Sequence, residues 1–234
     1  MASQKEDRSR CVIIVPYVDS IEPRCEAALR ALETRGYPVR RAHATAAIDR
    51  IRSELATQAI GEAFDEILWI DPDMVFEPDV VDRVRSHRLP IVGGLYAKRG
   101  HRAFGCRFLE EPTEVTLGEG GGPVEVRYVG APFLLTHRRV YQDVAKKFDL
   151  PACNGHFGVP AVPYFLPMIV RDKDVGFWYL SEGWSFCERA RQSGHKIMVD
   201  TSIRLWHVGM YSYGWEDVGT PIARAPGMKL RLKG

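Results

Sequence analysis

What most constrains this chain is the alternation of strand-like and helical stretches through its first half. Cys11–Tyr17 (CVIIVPY) is a continuous apolar run ending at Pro16, the pattern of a strand covered on both faces. Glu22–Arg35 then carries Cys25, Ala28, Leu29 and Leu32 at helical spacing and stops at Gly36. Val39–Ala44 reads as a short second strand. Ala46–Phe64 sets Ile48, Ile51, Leu55, Ala59 and Ile60 on one face of a long amphipathic helix. Glu66–Ile70 is a third strand, Pro78 opens a helix over Asp79–His87, and Pro90–Tyr96 is a fourth strand. Strands separated by helices imply βαβ units, so the expected fold class is α/β, with a doubly wound, mainly parallel sheet.

After about Gly100 the pattern changes. Glu114–Arg127, with Gly118 and Gly120-Gly-Gly122, reads as a hairpin or flexible loop. Val124–Val129 and Pro132–Leu135 read as strands, followed by a helix over His137–Lys147. Pro151–Pro167 is rich in proline, glycine and aromatic residues without a period, so a long loop is expected there, of the kind that covers a binding site. Ser185–Ser193 reads as a short helix, because Ser185 and Glu188 have capping-box spacing and Gly194 follows the last turn. Lys196–Asp200 and Ile203–Trp206 are short strands, and the tail from Gly209 to Gly234 has little period. The expected organisation is a single domain over 1–234, divided into halves at about 10–100 and 101–210, the second smaller and mixed, with a tail at 211–234.

Composition removes several functions. The 32 basic and 30 acidic residues leave a net charge of +2, which does not describe a general nucleic-acid-binding surface. The cysteines at 11, 25, 106, 153 and 187 include no CxxC pair, so neither a zinc ribbon nor a thioredoxin-type motif is expected. Scattered thiols without a framework fit a reducing compartment. The polar start MASQKEDRSR is followed by no apolar leader, and no apolar run approaches the ~18 residues of a membrane span. A soluble cytoplasmic protein without a transmembrane segment is the expectation.

Chemistry enters at ILWIDPDMVFEP, Ile67–Pro78, where a hydrophobic strand ends in two carboxylates on either side of a proline. One account is structural: Asp and Pro are ordinary turn residues. The other is chemical. In an open parallel sheet, ligands bind outside the carboxyl ends of the strands. Pro72 keeps Asp71 extended, so Asp71 and Asp73 can address one crevice. Oxygen ligands of this kind suit Mg2+ or Mn2+, which keep waters and share a nucleotide's phosphates.

Asp71-Pro72-Asp73 after LWI, the opening CVIIVPY, and the later SEGWSFCERARQSGHKIMVD and LWHVG resemble, in this order, nucleotide-sugar glycosyltransferases of the GT-A fold, family 2-like, with their Asp-x-Asp motif. The resemblance spans about Cys11 to Gly209. Many such enzymes carry Glu-Asp-x-x-Phe-Cys-x-Arg, then a Gly and an exit strand; Glu182, Phe186, Cys187, Arg189 and Gly194 match, while Gly183 stands where the Asp is usual. The resemblance implies a GT-A-like sheet with a smaller acceptor-side sheet. It implies metal-dependent transfer from a nucleoside-diphosphate sugar of UDP or GDP type to a hydroxyl acceptor, with inversion, assisted by Mn2+ or Mg2+.

The implied roles fall on particular residues. Asp73 and His207 hold the metal, and Asp71 binds it through water or holds the ribose hydroxyls. Pro16, Tyr17 and Asp19 cradle the base, Pro72 lies beside the donor, and Arg52 faces it from its helix. Glu182 is the general base, with Trp184 beside it to desolvate the carboxylate and to stack on an acceptor sugar. Tyr211 and Asp217 contact the acceptor, Asp217 being the reserve base. Lys98 and Arg99 are further phosphate or acceptor candidates. Each has a plainer account: Tyr17 and Asp19 as a strand-to-helix turn, Arg52 as an exposed helical arginine, His207 as a packed histidine, Glu182 as a first-turn carboxylate favoured by the helix dipole.

Two other functions compete. A sugar nucleotidyltransferase would need a glycine-rich phosphate cradle after the first strand, whereas PYVDSIEP there has no glycine. A nucleotide- or carbohydrate-binding protein with a degenerate active site is favoured by Gly183.

Overall fold

The expected alternation is realised in the computed structural model, which describes residues 7–99, 103–109, 114–173, 176–209, 212–215, 218 and 228–231. Tyr211 and Asp217 lie outside the described residues. The first half contains β1 (Cys11–Tyr17), α1 (Pro23–Thr34), β2 (Val39–His43), α2 (Ile48–Gly61), β3 (Glu66–Ile70), β4 (Met74–Phe76), α3 (Asp79–Ser86) and β5 (Ile91–Gly94). The second contains β6 (Cys106–Phe108), β7 (Glu114–Leu117), β8 (Pro123–Val129), β9 (Phe133–His137), α4 (Arg138–Phe148), β10 (Met168–Asp172) and β11 (Gly176–Leu180). It continues through α5 (Glu182–Gln192), β12 (Ile197–Asp200), β13 (Leu205–Val208), β14 (Ser212–Tyr213) and β15 (Met228–Arg231).

An eight-stranded sheet runs in the order β2-β1-β3-β9-β5-β12-β8-β6. Only β9 and β8 run against the rest. Smaller antiparallel sheets join β10 to β11, β13 to both β4 and β14, and β15 to β7. This is the α/β arrangement expected, a mostly parallel sheet with smaller antiparallel pieces.

Burial on both faces explains why the strands read as unbroken apolar runs. Val12 and Ile14 of β1, with Ile67 and Trp69 of β3, pack into one cluster with residues of α2, α4 and α5. Cys11, Ile13 and Val15, with Leu68 and Ile70, pack into a second with residues of α1 and α3. The period of two is present but hidden, because both faces need hydrophobic side chains. Burial pushes the Cys25 and Cys187 thiols up to about 12, so they remain protonated packing groups. Among the described residues, no helix is long and apolar enough to cross a membrane.

Two expectations fail for identifiable reasons. Glu114–Arg127 is not a hairpin: β7 pairs with β15, and β8 with β12 and β6. The glycines between them are committed to a distant partner, Gly118 N–H donating to Thr201 C=O at 2.9 Å and Thr201 N–H to Gly122 C=O at 3.0 Å. Ser185 does not cap α5, which begins at Glu182. The Ser185 N–H already bonds Ser181 C=O at 2.8 Å, and its hydroxyl donates to Leu180 C=O at 2.9 Å. Glu188 instead accepts from the Tyr128 hydroxyl at 2.8 Å. The long loop after α4 is pinned at its far end, where Val162 and Phe165 N–H groups donate to the Thr57 and Ser53 hydroxyls of α2. Its exposed residues lie at 151–152, 155–160 and 166.

At the end of β12 the Asp200 carboxylate is wholly buried, 2.7 Å from His87 Nε2 and 3.2 Å from Arg83 Nε, and accepts from Ser202 N–H at 2.8 Å. Burial pushes this carboxyl up, but the His87 and Ser202 hydrogen bonds and the Arg83 charge outweigh it and hold it below the usual range. A carboxyl more acidic in the native state than the ~3.9 of an unfolded aspartate contributes stability that is complete above about pH 4 and is lost as the pH falls below it. Asp200→Asn should therefore lose about 1–3 kcal/mol at pH 7 by chemical denaturation. The gap to wild type should narrow as the pH falls from about 4 toward 2; a gap independent of pH would exclude this network.

Candidate active site

The chain leaves β3 through a β-turn in which Met74 N–H donates to Asp71 C=O at 3.1 Å, with Pro72 in the position that proline favours. The structural account of this motif is therefore correct, and it is also what aims the two carboxylates. Each turn residue is tied to a different segment: Asp71 N–H donates to Pro132 C=O at 2.9 Å, Glu22 N–H to Pro72 C=O at 2.8 Å, and Val208 N–H to Asp73 C=O at 2.8 Å. The β4–β13 ladder sets His207 opposite Met74, directly beside Asp73.

His207 is oriented by the main chain. Its Nδ1 lies 3.2 Å from Ala97 C=O, and its ring meets Tyr96 edge-on at 5.5 Å. A carbonyl only accepts, so Nδ1 carries the proton and Nε2 is turned toward Asp73 Oδ2, 3.4 Å away. Arg99 Nη1 approaches the same oxygen at 2.9 Å. Burial raises the Asp73 carboxyl, but its neighbours His207 and Arg99 outweigh it, so it stays below its ordinary value.

Asp71 is engaged differently. Its Oδ1 accepts from Arg52 Nη2 at 2.5 Å. Arg52 is not an exposed helical arginine: its side chain is 1% exposed, lies 5.3 Å over the Trp69 ring and reaches Ala131 C=O at 3.5 Å. Its ion-pair partner is Asp71, the first residue of the turn.

Among the described residues no cluster of three or more His, Cys, Asp and Glu side chains converges as a ready-made metal cage. The Asp73–His207 pair nonetheless fits a divalent cation. A backbone carbonyl fixes the histidine tautomer, as is usual for a ligating imidazole. The Nε2–Oδ2 distance of 3.4 Å exceeds an ordinary hydrogen bond. It is near the roughly 3 Å between neighbouring ligands on an octahedral ion with ~2.1 Å bonds. One nitrogen and one carboxylate leave the remaining positions to water and phosphate oxygens, which suits Mn2+ or Mg2+.

Beside the turn opens a cleft of about 320 Å³, whose lining includes Asp71, Tyr96, Lys98, Trp178, Glu182 and Trp184. Trp178 and Trp184 meet edge-to-face at 5.4 Å, Trp184 stacks on Tyr128 at 5.5 Å, and Lys98 Nζ lies 5.3 Å over the Trp184 ring. Asp71 and Glu182 face this space from β3 and α5, so the structure brings together residues that the sequence assigned to donor and acceptor. Tyr17 ends β1 and Asp19 follows it; β1 runs parallel to β3, so both lie at the same sheet edge. The Tyr17 ring packs edge-on against His43 at 5.5 Å, and Pro16 is buried within β1.

The sequence did not mark Tyr96 or Trp178. Tyr96 is wedged between two glycines: a Cβ on Gly105 or Gly130 would come within 2.1 Å of its ring or hydroxyl. Burial, with Asp71 among the nearby negative groups and Glu182 another, raises its phenol well above the ordinary value, so the hydroxyl stays protonated. Glycines that flank an aromatic only in space leave little sequence signal. Trp178 comes from the β10–β11 hairpin, whose alternation in MIVRD and GFWYL was legible but not read.

Gly183 has a packing explanation. A Cβ there would lie 3.1 Å from Ala131 N and 3.5 Å from Gly130 Cα, because α5 presses on the β8–β9 turn. In an open helix Gly→Ala stabilises by about 0.5–1 kcal/mol. Here close backbone contact should reverse the sign, so Gly183→Ala should lower the midpoint of thermal unfolding. A raised midpoint would show that α5 stands off the turn.

No family model and no curated protein sequence matches this chain. Among solved structures, the crystal structure of A197 from STIV is similar, with a TM-score of 0.55 at 13% identity over 92% of this chain and 97% of that one. At that identity the likeness is one of fold alone. A weaker likeness, with a TM-score of 0.46 at 10% identity, is to GalNAc-T7 crystallised with UDP, GalNAc and Mn2+, over 92% of this chain and 46% of that one. Another, to S. aureus TarS 1-349, has a TM-score of 0.39 at 12% identity, over 82% of this chain and 58% of that one. Neither of these two bears on the chemistry of the site.

Proposed function

We propose that this protein is a metal-dependent glycosyltransferase that moves a sugar from a nucleoside-diphosphate sugar of UDP or GDP type to a hydroxyl acceptor, with inversion. The observation that supports it most is the convergence of Asp73 and His207 Nε2 at the sheet's carboxyl edge, beside an aromatic cleft lined by a separate carboxylate, Glu182. A catalyst of this transfer needs charge neutralisation at the diphosphate and a base at the acceptor, in adjoining places.

Asp73 and His207 are the residues to hold Mn2+ or Mg2+, which when bound supplies Lewis-acid neutralisation of the leaving diphosphate. Asp71, braced by Arg52, orients the ribose hydroxyls with the oxygen that Arg52 does not engage. Tyr17 and Asp19, after the buried Pro16, address the base, and Pro72 fixes the turn between the two acids. The walls formed by Trp178 and Trp184 stack on an acceptor and exclude water. Tyr211 and Asp217 are assigned to the acceptor on sequence order.

In the transfer, the acceptor hydroxyl oxygen forms a bond to the anomeric carbon as the bond to diphosphate breaks. The electron pair leaves with the diphosphate, and the hydroxyl proton passes to the Glu182 carboxylate. Tyr96, held protonated, can donate a hydrogen bond there but does not act as the base. Packing accounts for Gly183, so the missing acid is not by itself a mark of a degenerate site.

Thermal-shift measurements with UDP and GDP, with and without Mn2+, test the donor site. One nucleotide should stabilise the protein in a Mn2+-dependent way, and Asp73→Asn should abolish that dependence while leaving the unliganded midpoint close to wild type. Equal Mn2+-dependent binding by the variant would remove Asp73 from the site. A general base contributes typically ~10²–10⁴-fold, so Glu182→Gln should reduce turnover by about that factor with donor affinity nearly intact. The product should have the inverted anomeric configuration by proton NMR; retention, or unchanged turnover, would take Glu182 out of this role.

A further inference from the structure

Arg99 stands where a cation on Asp73 would stand. Its Nη1 is 2.9 Å from Asp73 Oδ2, the same oxygen that faces His207 Nε2 at 3.4 Å. A guanidinium neutralises a carboxylate but cannot be replaced in part: a metal ion needs the lone pairs that the N–H groups occupy. Arg99 and a divalent cation therefore compete for one oxygen.

The root of this side chain is held and its arm is not buried. Lys98 N–H donates to Ala103 C=O at 2.8 Å, and Ala97 forms a bridge with Phe104 while its carbonyl orients His207. The Arg99 side chain is 52% exposed. Lys98, its neighbour in sequence, goes the other way, over Trp184 in the cleft. Two successive cations thus serve two subsites, Lys98 at the acceptor side and Arg99 at the metal pair.

We propose that Arg99 is a ligand of the donor's diphosphate that rests on Asp73 when no donor is bound, so that metal and nucleoside diphosphate bind cooperatively. The proposal rests on the reading of Asp73 and His207 as the metal pair. A metal ion arriving alone must displace the guanidinium and offer it no other anion. Arriving with a diphosphate, it lets Arg99 exchange a carboxylate for a phosphate, which its planar fork fits equally well. No charge is left unpaired in the ternary state. By linkage, whatever factor the nucleotide adds to metal affinity, the metal adds to nucleotide affinity.

Isothermal titration separates the outcomes, with Mn2+ alone, UDP and GDP alone, and each nucleotide with Mn2+, on wild type, Arg99→Ala and Arg99→Lys. A half-exposed ion pair contributes little, so Mn2+ alone should bind Arg99→Ala only about two- to fivefold more tightly than wild type. With Mn2+ present, the nucleotide that binds wild type should bind Arg99→Ala on the order of tenfold more weakly. The coupling factor between the two ligands should shrink, the remainder being direct attraction between ion and diphosphate. Arg99→Lys, which keeps the charge but not the fork, should fall between the two. Mn2+ affinity and coupling unchanged in Arg99→Ala would overturn the role of Arg99 and leave the metal pair standing. If wild type and variant both fail to bind Mn2+, with or without nucleotide, the metal pair itself is wrong and this proposal falls with it.

Discussion

Three main-chain hydrogen bonds on one turn organise the candidate site. Asp71, Pro72 and Asp73 each exchange one with a separate part of the chain: the β8–β9 turn at Pro132, the start of α1 at Glu22, and the end of β13 at Val208. A carboxylate on a loop tip samples many directions; one whose backbone is tied on every side samples few, and preorganisation of that kind is what a site for metal or diphosphate requires. The same bonds decide which residues are neighbours. Val208 docking on Asp73 is what sets His207 beside it, and Pro132 docking on Asp71 brings the β8–β9 turn, and with it α5 and Glu182, to the cleft.

That dependence explains what could be read in the sequence. The buried strands β1 and β3 were legible because a sheet covered on both faces demands unbroken apolar runs. The link from Asp73 to His207 was legible only as an order of motifs, since nothing in LWHVG says which strand it pairs with. β4, and the place of β9 in the sheet though not the strand itself, were hidden for the same reason. Met74–Phe76 is too short to carry a period, and Phe133–His137 enters the sheet between β3 and β5 by non-local pairing. The reading of Ser185 as a cap failed where local chemistry was overruled: its N–H was already taken by Ser181, and its hydroxyl was claimed by Leu180 and Met168.

Close backbone approach was equally silent in the sequence. The cleft is shaped by Gly105 and Gly130 closing on Tyr96 and by α5 lying against Ala131 at Gly183. None of these pairs is near in sequence, so each glycine taken alone resembles an ordinary turn or a weak helix position. Their meaning appears only when the strand order brings them around one phenol. Gly183, which in the sequence argued for a degenerate site, belongs in the structure to the packing that positions Glu182.

Burial also decides which of the two acids can serve a metal. Both carry an arginine, Arg52 on Asp71 at 2.5 Å and Arg99 on Asp73 at 2.9 Å, but the first arginine is 1% exposed and the second 52%. Withdrawing Asp71 would leave a buried guanidinium uncompensated, a loss that typically costs about 3–5 kcal/mol. Among the described residues, the Trp69 ring and a long contact to Ala131 would remain to it. Releasing Arg99 into water costs about 0–1 kcal/mol, the ordinary magnitude for a pair at the surface. On the proposed reading, a divalent ion takes Asp73 from its arginine rather than Asp71. The turn presents two carboxylates of the same kind, and the depth of their arginine partners makes one a fixed strut and leaves the other in an exposed, exchangeable ion pair.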